Sequence, residues 1–296
     1  MLPTLTPGEE IVATDRRRPR VGEVVVFPHP ERDDFWLVKR RARPPGSLRA
    51  GQAWALSDNR EVASIDSRSF GPVPLDRMMP RVTQLDTSTF VEACDLLIEE
   101  DSALADLVAA FGVPGFWARP PGFPTLVLLI LEQQVSLESG AAVYRRLVAR
   151  AGGISPGLIL GLGAEGIRAT GVTRQKAGYV VDLATAVLSG TVDLDGIESA
   201  GEDVARASLL GLRGVGLWTA DAYLLSAQRR TDIFPLGDRA LQVGIAETLG
   251  LARIPTQEEM LLLAESWRPI RAVAARLIWH SYLTRRGRAE PEHETL

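Results

Sequence analysis

"GLRGVGLWTADAYLL", residues 211–225, sets three glycines within six positions directly in front of an unbroken helical-looking run. The preceding stretch "VARASLL" (204–210) is also helical in texture, so the region reads as helix, tight hairpin, helix. Gly211 is expected to end the first helix in the left-handed conformation that glycine adopts readily. Gly214 and Gly216 leave Val215 between two residues without side chains. The N–H groups opening the second helix then point outward beside bare backbone, which suits an anion and in particular a phosphate. Taken alone, the glycines fit an ordinary, closely packed interhelical turn at least as well. The next segment, "RRTDIFPLGDRALQVGIAETLG" (229–250), places Asp238 after a Pro-Leu-Gly turn and before another helical run. Asp238 is either a helix N-cap or a carboxylate presented at a cleft between helices.

Working outward, the chain changes character near residue 85. Before it lie short β-rich runs, "EVVVF" (23–27), "FWLVKR" (35–40) and "AWALS" (53–57), separated by Pro, Gly and Arg clusters. After it the texture is helical: 125–153, 173–190 and 268–287 carry apolar residues at helical spacing. The expected organisation is a small mainly-β domain over 1–85 and an all-α domain over 86–296. Residues 1–85 hold 14 basic and 11 acidic side chains, a net +3, and residues 86–296 hold 19 and 26, a net −7. A helical domain of that charge cannot grip nucleic acid by bulk attraction, so any such contact must use a local surface and backbone donors.

Composition excludes several classes. With 296 residues and 46% hydrophobic content the chain can bury a core and is not disordered. It shows no apolar run long enough for a transmembrane helix and no signal peptide, so a cytoplasmic protein without membrane contact is expected. One cysteine, Cys94, cannot build a disulfide, a cysteine zinc site or an iron–sulfur cluster. His29, His280 and His293 are scattered, so no metal site is expected. Of 33 basic residues only Lys39 and Lys176 are lysines.

"LRGVGLWTADAYLL" followed by "DIFPLGDRAL" resembles the helix-hairpin-helix, Gly/Pro-rich loop and Asp signature of base-excision DNA glycosylases, more narrowly the 3-methyladenine DNA glycosylase II family. "RPPGFPTLVLLILEQQVS" (119–136), "GVTRQKAGYVVDLA" (171–184) and "WRPIRAVAARLIWHSYL" (267–283) agree in order, so the resemblance spans nearly all of 88–285. It implies an all-helical, two-lobed fold acting on double-stranded DNA with alkylated bases, with no cofactor beyond a monovalent cation at the hairpin. It implies that Asp238 is the catalytic carboxylate and that Arg213, Gly214, Val215, Gly216 and Thr219 form the hairpin's DNA contact. Trp218, Tyr223, Trp117 and Trp267 are the candidates for the flipped-base pocket, each equally readable as a core residue. The resemblance also implies that the 132–136 stretch meets the DNA at the gap, with Gln133, Gln134 and Ser136 as the expected contacts and Gln134 or Val135 as the wedge. Arg145 and Arg146 add local positive charge. Strand-cutting relatives carry a Lys two residues after the last hairpin glycine. Here that residue is Trp218, and Lys176, the one lysine in this domain, is expected in a surface or phosphate role. The reading is a monofunctional enzyme without lyase activity.

The first third has its own resemblance. "MLPTLTPGEEIV", "PRVGEVVVF", "LVKRR" and "ALSDNREVASIDSRSFGPVP" are similar to the catalytic fold of signal-peptidase-like serine peptidases of S26 type, the nickel-superoxide-dismutase maturation proteases among them. The resemblance makes Lys39 the counterpart of the peptidase base. Met1 matches the Met that follows the family's nucleophilic serine, which would therefore lie one residue earlier. The usual "GDN" reads "SDN" at Ser57, Asp58 and Asn59. Three readings stand: a start called too late, a decayed protease kept as scaffold, or a fusion of little consequence. As given, the domain is expected to be inactive, with Ser64, Ser67 and Ser69 in loop hydrogen bonds. The alternative function is a soluble serine/lysine peptidase fused to a DNA-binding helical module.

Overall fold

The computed structural model describes residues 4–59 and 64–288, so Met1 and His293 lie outside the described residues. The chain forms two compact units, Met1–Thr83 and Gln84–Leu296.

The first unit is an antiparallel sheet of five strands in the order β4-β3-β2-β1-β5. The strands are β1 (Val24–Pro28), β2 (Trp36–Ala42), β3 (Gln52–Leu56), β4 (Val73–Pro74) and β5 (Met79–Pro80), with a short helix α1 (Ser67–Phe70) after β3. Period-two alternation sends Val25, Phe27, Leu37, Ala53 and Ala55 to one face, where they pack with Val73, Met78, Phe70 and Leu75. The same alternation buries Lys39, two residues on from Leu37 and paired across the ladder with Val25.

The second unit is all-helical: α2 (Thr87–Glu100), α3 (Ser102–Phe111), α4 (Phe123–Glu132), α5 (Leu137–Ala151), α6 (Pro156–Arg168), α7 (Arg174–Leu188), α8 (Leu194–Ser199), α9 (Glu202–Leu210), α10 (Leu217–Ser226), α11 (Arg239–Thr248), α12 (Gln257–Ala264) and α13 (Arg271–Thr284). Helices α4, α10 and α13 are apolar almost all round and form the core: every residue from Thr219 to Ser226 is buried, as is every residue from Thr125 to Glu132. Three carboxylates taken inside are paired with arginines. Arg119 holds Glu132 in a bidentate bridge at 2.8 and 2.9 Å, Arg206 binds Asp221 at 2.8 Å, and Arg271 binds Asp232 at 2.8 Å. No single helix among the described residues is long and apolar enough to cross a membrane.

Two local expectations need correction. The helical stretch 125–153 is two helices, because α4 stops at Glu132 and Gln134 turns the chain with φ 58°. Gly211 ends α9 in a right-handed conformation (φ −66°, ψ −15°), and the left-handed glycine of the hairpin is Gly214, at φ 85°.

Candidate active site

Asp238 sits at the N-cap of α11, where the Pro235-Leu236-Gly237 turn delivers it. Its carboxylate is held by three N–H donors. Oδ1 accepts from the Leu241 backbone at 2.8 Å and from the Trp279 indole at 3.0 Å, and Oδ2 accepts from the Trp218 indole at 2.8 Å. Asp238 is thus the N-cap of α11, and its remaining acceptor capacity is turned to two indole N–H groups. Gly237 makes this possible, since a Cβ there would stand 3.3 Å from Trp218 Cβ. Asp238, Trp218 and Trp279 are all half-buried, open enough to meet a ligand.

Trp117 joins them, its ring 6.2 Å from that of Trp279. Behind it lies Arg276, 2% exposed, with its guanidinium carbon 4.3 Å from the Trp117 centroid and its N–H groups donating to the carbonyls of Trp117 and Leu225. This fixed cation locks the Trp117 ring in place. The other two aromatic candidates are core residues. Tyr223 is fully buried and its hydroxyl accepts from Gly122 N–H at 2.8 Å. Trp267 is 2% exposed, packs on Phe234 and donates its indole N–H to Asp101 at 2.7 Å. A base could reach neither ring without opening the fold. Trp279 was hidden in the sequence by its place in the apolar run of α13.

The hairpin and the 133–136 turn are joined. Gln133 donates its amide N–H groups to the Gly214 carbonyl at 2.8 Å and to Thr219 Oγ1 at 2.9 Å. Thr219 is 1% exposed, so its expected DNA contact is corrected: its hydroxyl holds Gln133. Val215 N–H bonds the Leu212 carbonyl and the Val215 side chain is buried. Gly216 opens α10 with no side-chain cap and open space around its Cα hydrogens, which leaves the first-turn N–H groups of that helix facing outward. Arg213 is exposed and bridges to Asp182 at 2.8 Å. Ser136 caps α5, and Gln134 and Val135 are exposed. Arg146 donates to the Thr170 carbonyl rather than standing free. Lys176 is also corrected: its ammonium bonds the carbonyls of Leu131 and Gln133, each at 2.7 Å, and burial lowers its pKa. Hairpin carbonyls could face a monovalent cation, and those of Leu212 and Gly214 each keep one lone pair beyond the bonds they accept. Among the described residues no cluster of three His, Cys, Asp or Glu side chains is placed to hold a metal ion.

The sheet unit carries a second polar cluster. Lys39 Nζ donates to Ser57 Oγ and Ser64 Oγ, both at 2.9 Å, and the two hydroxyls bond each other. Burial pulls the Lys39 amine below the usual lysine range, and the Asp66 carboxylate opposes that only in part. Asp66 is itself committed to Arg68 and to the Ser57 and Arg68 N–H groups. Ser64 thus serves Lys39 rather than a loop, whereas Ser67 accepts from Ala55 N–H at 2.9 Å.

The chain is similar to known proteins in sequence and fold. Residues 127–269 match the family model of the HhH-GPD superfamily base excision DNA repair protein, and the helical unit has the all-α HhH-GPD glycosylase fold. The putative DNA-3-methyladenine glycosylase YfjP of Bacillus subtilis is 27% identical over 160 residues, 51% of this chain and 56% of that protein. The chain thus spans about half the length of that relative. The crystal structure of DNA-3-methyladenine glycosidase from Bacillus halodurans superposes with a TM-score of 0.58 at 26% identity, covering 67% of this chain and 91% of that one. A partial match at 31% identity over 102 residues, 28% of this chain and 64% of the other, is to mitochondrial inner membrane protease subunit 1 of Schizosaccharomyces pombe.

Proposed function

We propose that the chain is a monofunctional DNA glycosylase that removes alkylated purines of the 3-methyladenine type from double-stranded DNA. The observation that carries this is the Asp238 carboxylate, gripped by the indole N–H groups of Trp218 and Trp279 in a half-open aromatic site. A base in a duplex is out of reach until it is flipped, at a cost of a few kcal/mol. The rings of Trp218 and Trp279 favour an electron-poor, cationic base. Alkylation at a ring nitrogen makes that base a good leaving group. As the C1′–N bond breaks, the pair of electrons leaves with the base and the sugar gains oxocarbenium character. Asp238 stabilises that charge, orients the water that adds to C1′ and takes the proton this water loses, leaving an abasic site and an intact strand. The three donors hold the carboxylate in one direction, so little reorganisation is needed at the moment of reaction.

The absence of lyase chemistry is supported by Trp218 at the position of the lyase amine and by Lys176, whose ammonium is spent on two backbone carbonyls. Asp238→Asn is expected to lower release of 3-methyladenine from methylated duplex by about 10²–10³-fold, the usual cost of one electrostatic group, while affinity for an abasic-analogue duplex stays within about threefold. Release at the wild-type rate sinks the assignment.

A second reading concerns the sheet unit and rests on Lys39, a buried amine held by hydroxyls rather than by a carboxylate. This is the environment of a lysine general base and supports an S26-type peptidase frame. A chain extended by one serine before Met1 is expected to cleave peptide substrates, and the same chain with Lys39→Ala is not. No cleavage by the extended chain leaves the unit a scaffold.

A further inference from the structure

We propose that Lys176 is the positioning residue for the DNA-facing turn 133–136. The proposal rests on the glycosylase reading for the use made of that turn, but its geometry stands independently. A helix ends with carbonyls that have no intrahelical partner, and its C-terminus attracts a cation. At the end of α4, Lys176 Nζ reaches over from α7 and takes two carbonyls at 2.7 Å, one before the break (Leu131) and one within it (Gln133). Between that bond and α5, Gln134 adopts φ 58°, a region that residues other than glycine avoid. The result is an exposed Gln134-Val135 tip, with Val135 49% exposed, on a turn whose main chain is pinned on its inner side.

The same helix braces the hairpin. One turn beyond Lys176, Tyr179 packs so closely on Gly214 that a Cβ there would overlap the Tyr179 ring. Gln133 closes the loop by donating to the Gly214 carbonyl and Thr219 Oγ1. Turn and hairpin are thus one rigid piece, set on α7 by a lysine and a tyrosine. The lysine of the helical unit therefore has a mechanical role: it keeps a strained tip aimed at the place a flipped base vacates.

The test compares Lys176→Met, which keeps the stem and loses the donors, with Lys176→Arg, which restores them. Single-turnover base release is measured on methylated duplex and on methylated single strand. A tip that fills a vacated stack matters only where there is a stack. Lys176→Met is therefore expected to lose about 10²-fold on duplex, the cost of a misplacement near 1 Å, and under about threefold on single strand. Lys176→Arg is expected to recover most of the duplex rate. Equal losses on both substrates, or no loss on duplex, overturn the proposal. Hydrogen exchange of the 131–136 segment separates it from the glycosylase reading. If wild-type protein releases no base, that reading fails, yet faster exchange of this segment in Lys176→Met still supports the clamp. Unchanged exchange refutes it.

Discussion

Asp238 in the helical unit and Lys39 in the sheet unit are each held by neutral groups. By contrast, the inward carboxylates Glu132, Asp221 and Asp232 are neutralised by arginines. Asp238 takes two indole N–H groups and a backbone N–H, and Lys39 takes two serine hydroxyls. An opposite charge would quench each group, whereas neutral partners orient it and leave its charge chemistry available to a substrate. The two differ in access. Asp238 stands half-open beside the indoles of Trp218 and Trp279. Lys39 is 8% exposed and faces hydroxyls that are both already bonded. By this comparison the helical carboxylate is the more open of the two, and the amine of the sheet unit is the more enclosed.

The largest expected effect breaks the first half of the comparison. Trp218→Phe combined with Trp279→Phe keeps both rings but removes both indole donors, so base release should fall by about 10²-fold, with each single change costing about tenfold, the worth of a charge-assisted hydrogen bond. If the double variant retains the wild-type rate, orientation by the indoles is not part of catalysis. Next comes the hairpin. Gly216→Thr puts a side chain into open space and supplies a capping hydroxyl, so thermal stability should hold. Affinity for an abasic-analogue duplex should fall about tenfold, or about 1.4 kcal/mol, because the DNA backbone needs that space. Unchanged affinity shows that no phosphate comes close.

A smaller effect sharpens the sheet side. Burial alone would raise the Asp66 carboxyl, but Arg68 and the N–H groups of Ser57 and Arg68 together bring it down to about 2. Since the folded value lies below the ordinary carboxylate range, its contribution is full above pH 4 and fades as pH falls towards 2. It amounts to at most about 2 kcal/mol. Asp66→Asn should flatten the acid unfolding of the sheet unit in that window, followed by hydrogen exchange of the β3 segment. The least effect is expected of Arg213→Ala, which should change DNA affinity by less than about threefold, because Asp182 already pairs that guanidinium at an exposed site. Wild-type affinity should fall with salt as though about 2–4 phosphates were neutralised, a shallow dependence for a DNA-binding protein.

Much of the fold was legible because glycine, proline and apolar spacing are local signals. The three main strands, the hairpin and the position of Asp238 were all legible in this way. What escaped depends on contacts between distant segments. Gly214 looked open for a ligand, but its reason lies inside the fold: a left-handed φ and the ring of Tyr179 demand glycine there whether or not DNA binds. Gly214→Val would therefore damage the protein itself, and Gly216 is the informative glycine. Trp279 and Trp267 lie within one short stretch, 267–283, and no periodicity could tell which indole would face Asp238 and which Asp101. Lys176 looked like a surface cation because only the fold brings it to the end of α4.

The most direct measurement uses a duplex bearing one methylated purine and follows two products of the same single-turnover reaction. The free base is read by chromatography and the strand by denaturing gel, with and without alkali, and with borohydride present. The account predicts free alkylated base, a strand cut only after alkali, and no covalent protein–DNA complex. A strand nicked without alkali, a trapped complex, or no free base at all would contradict it.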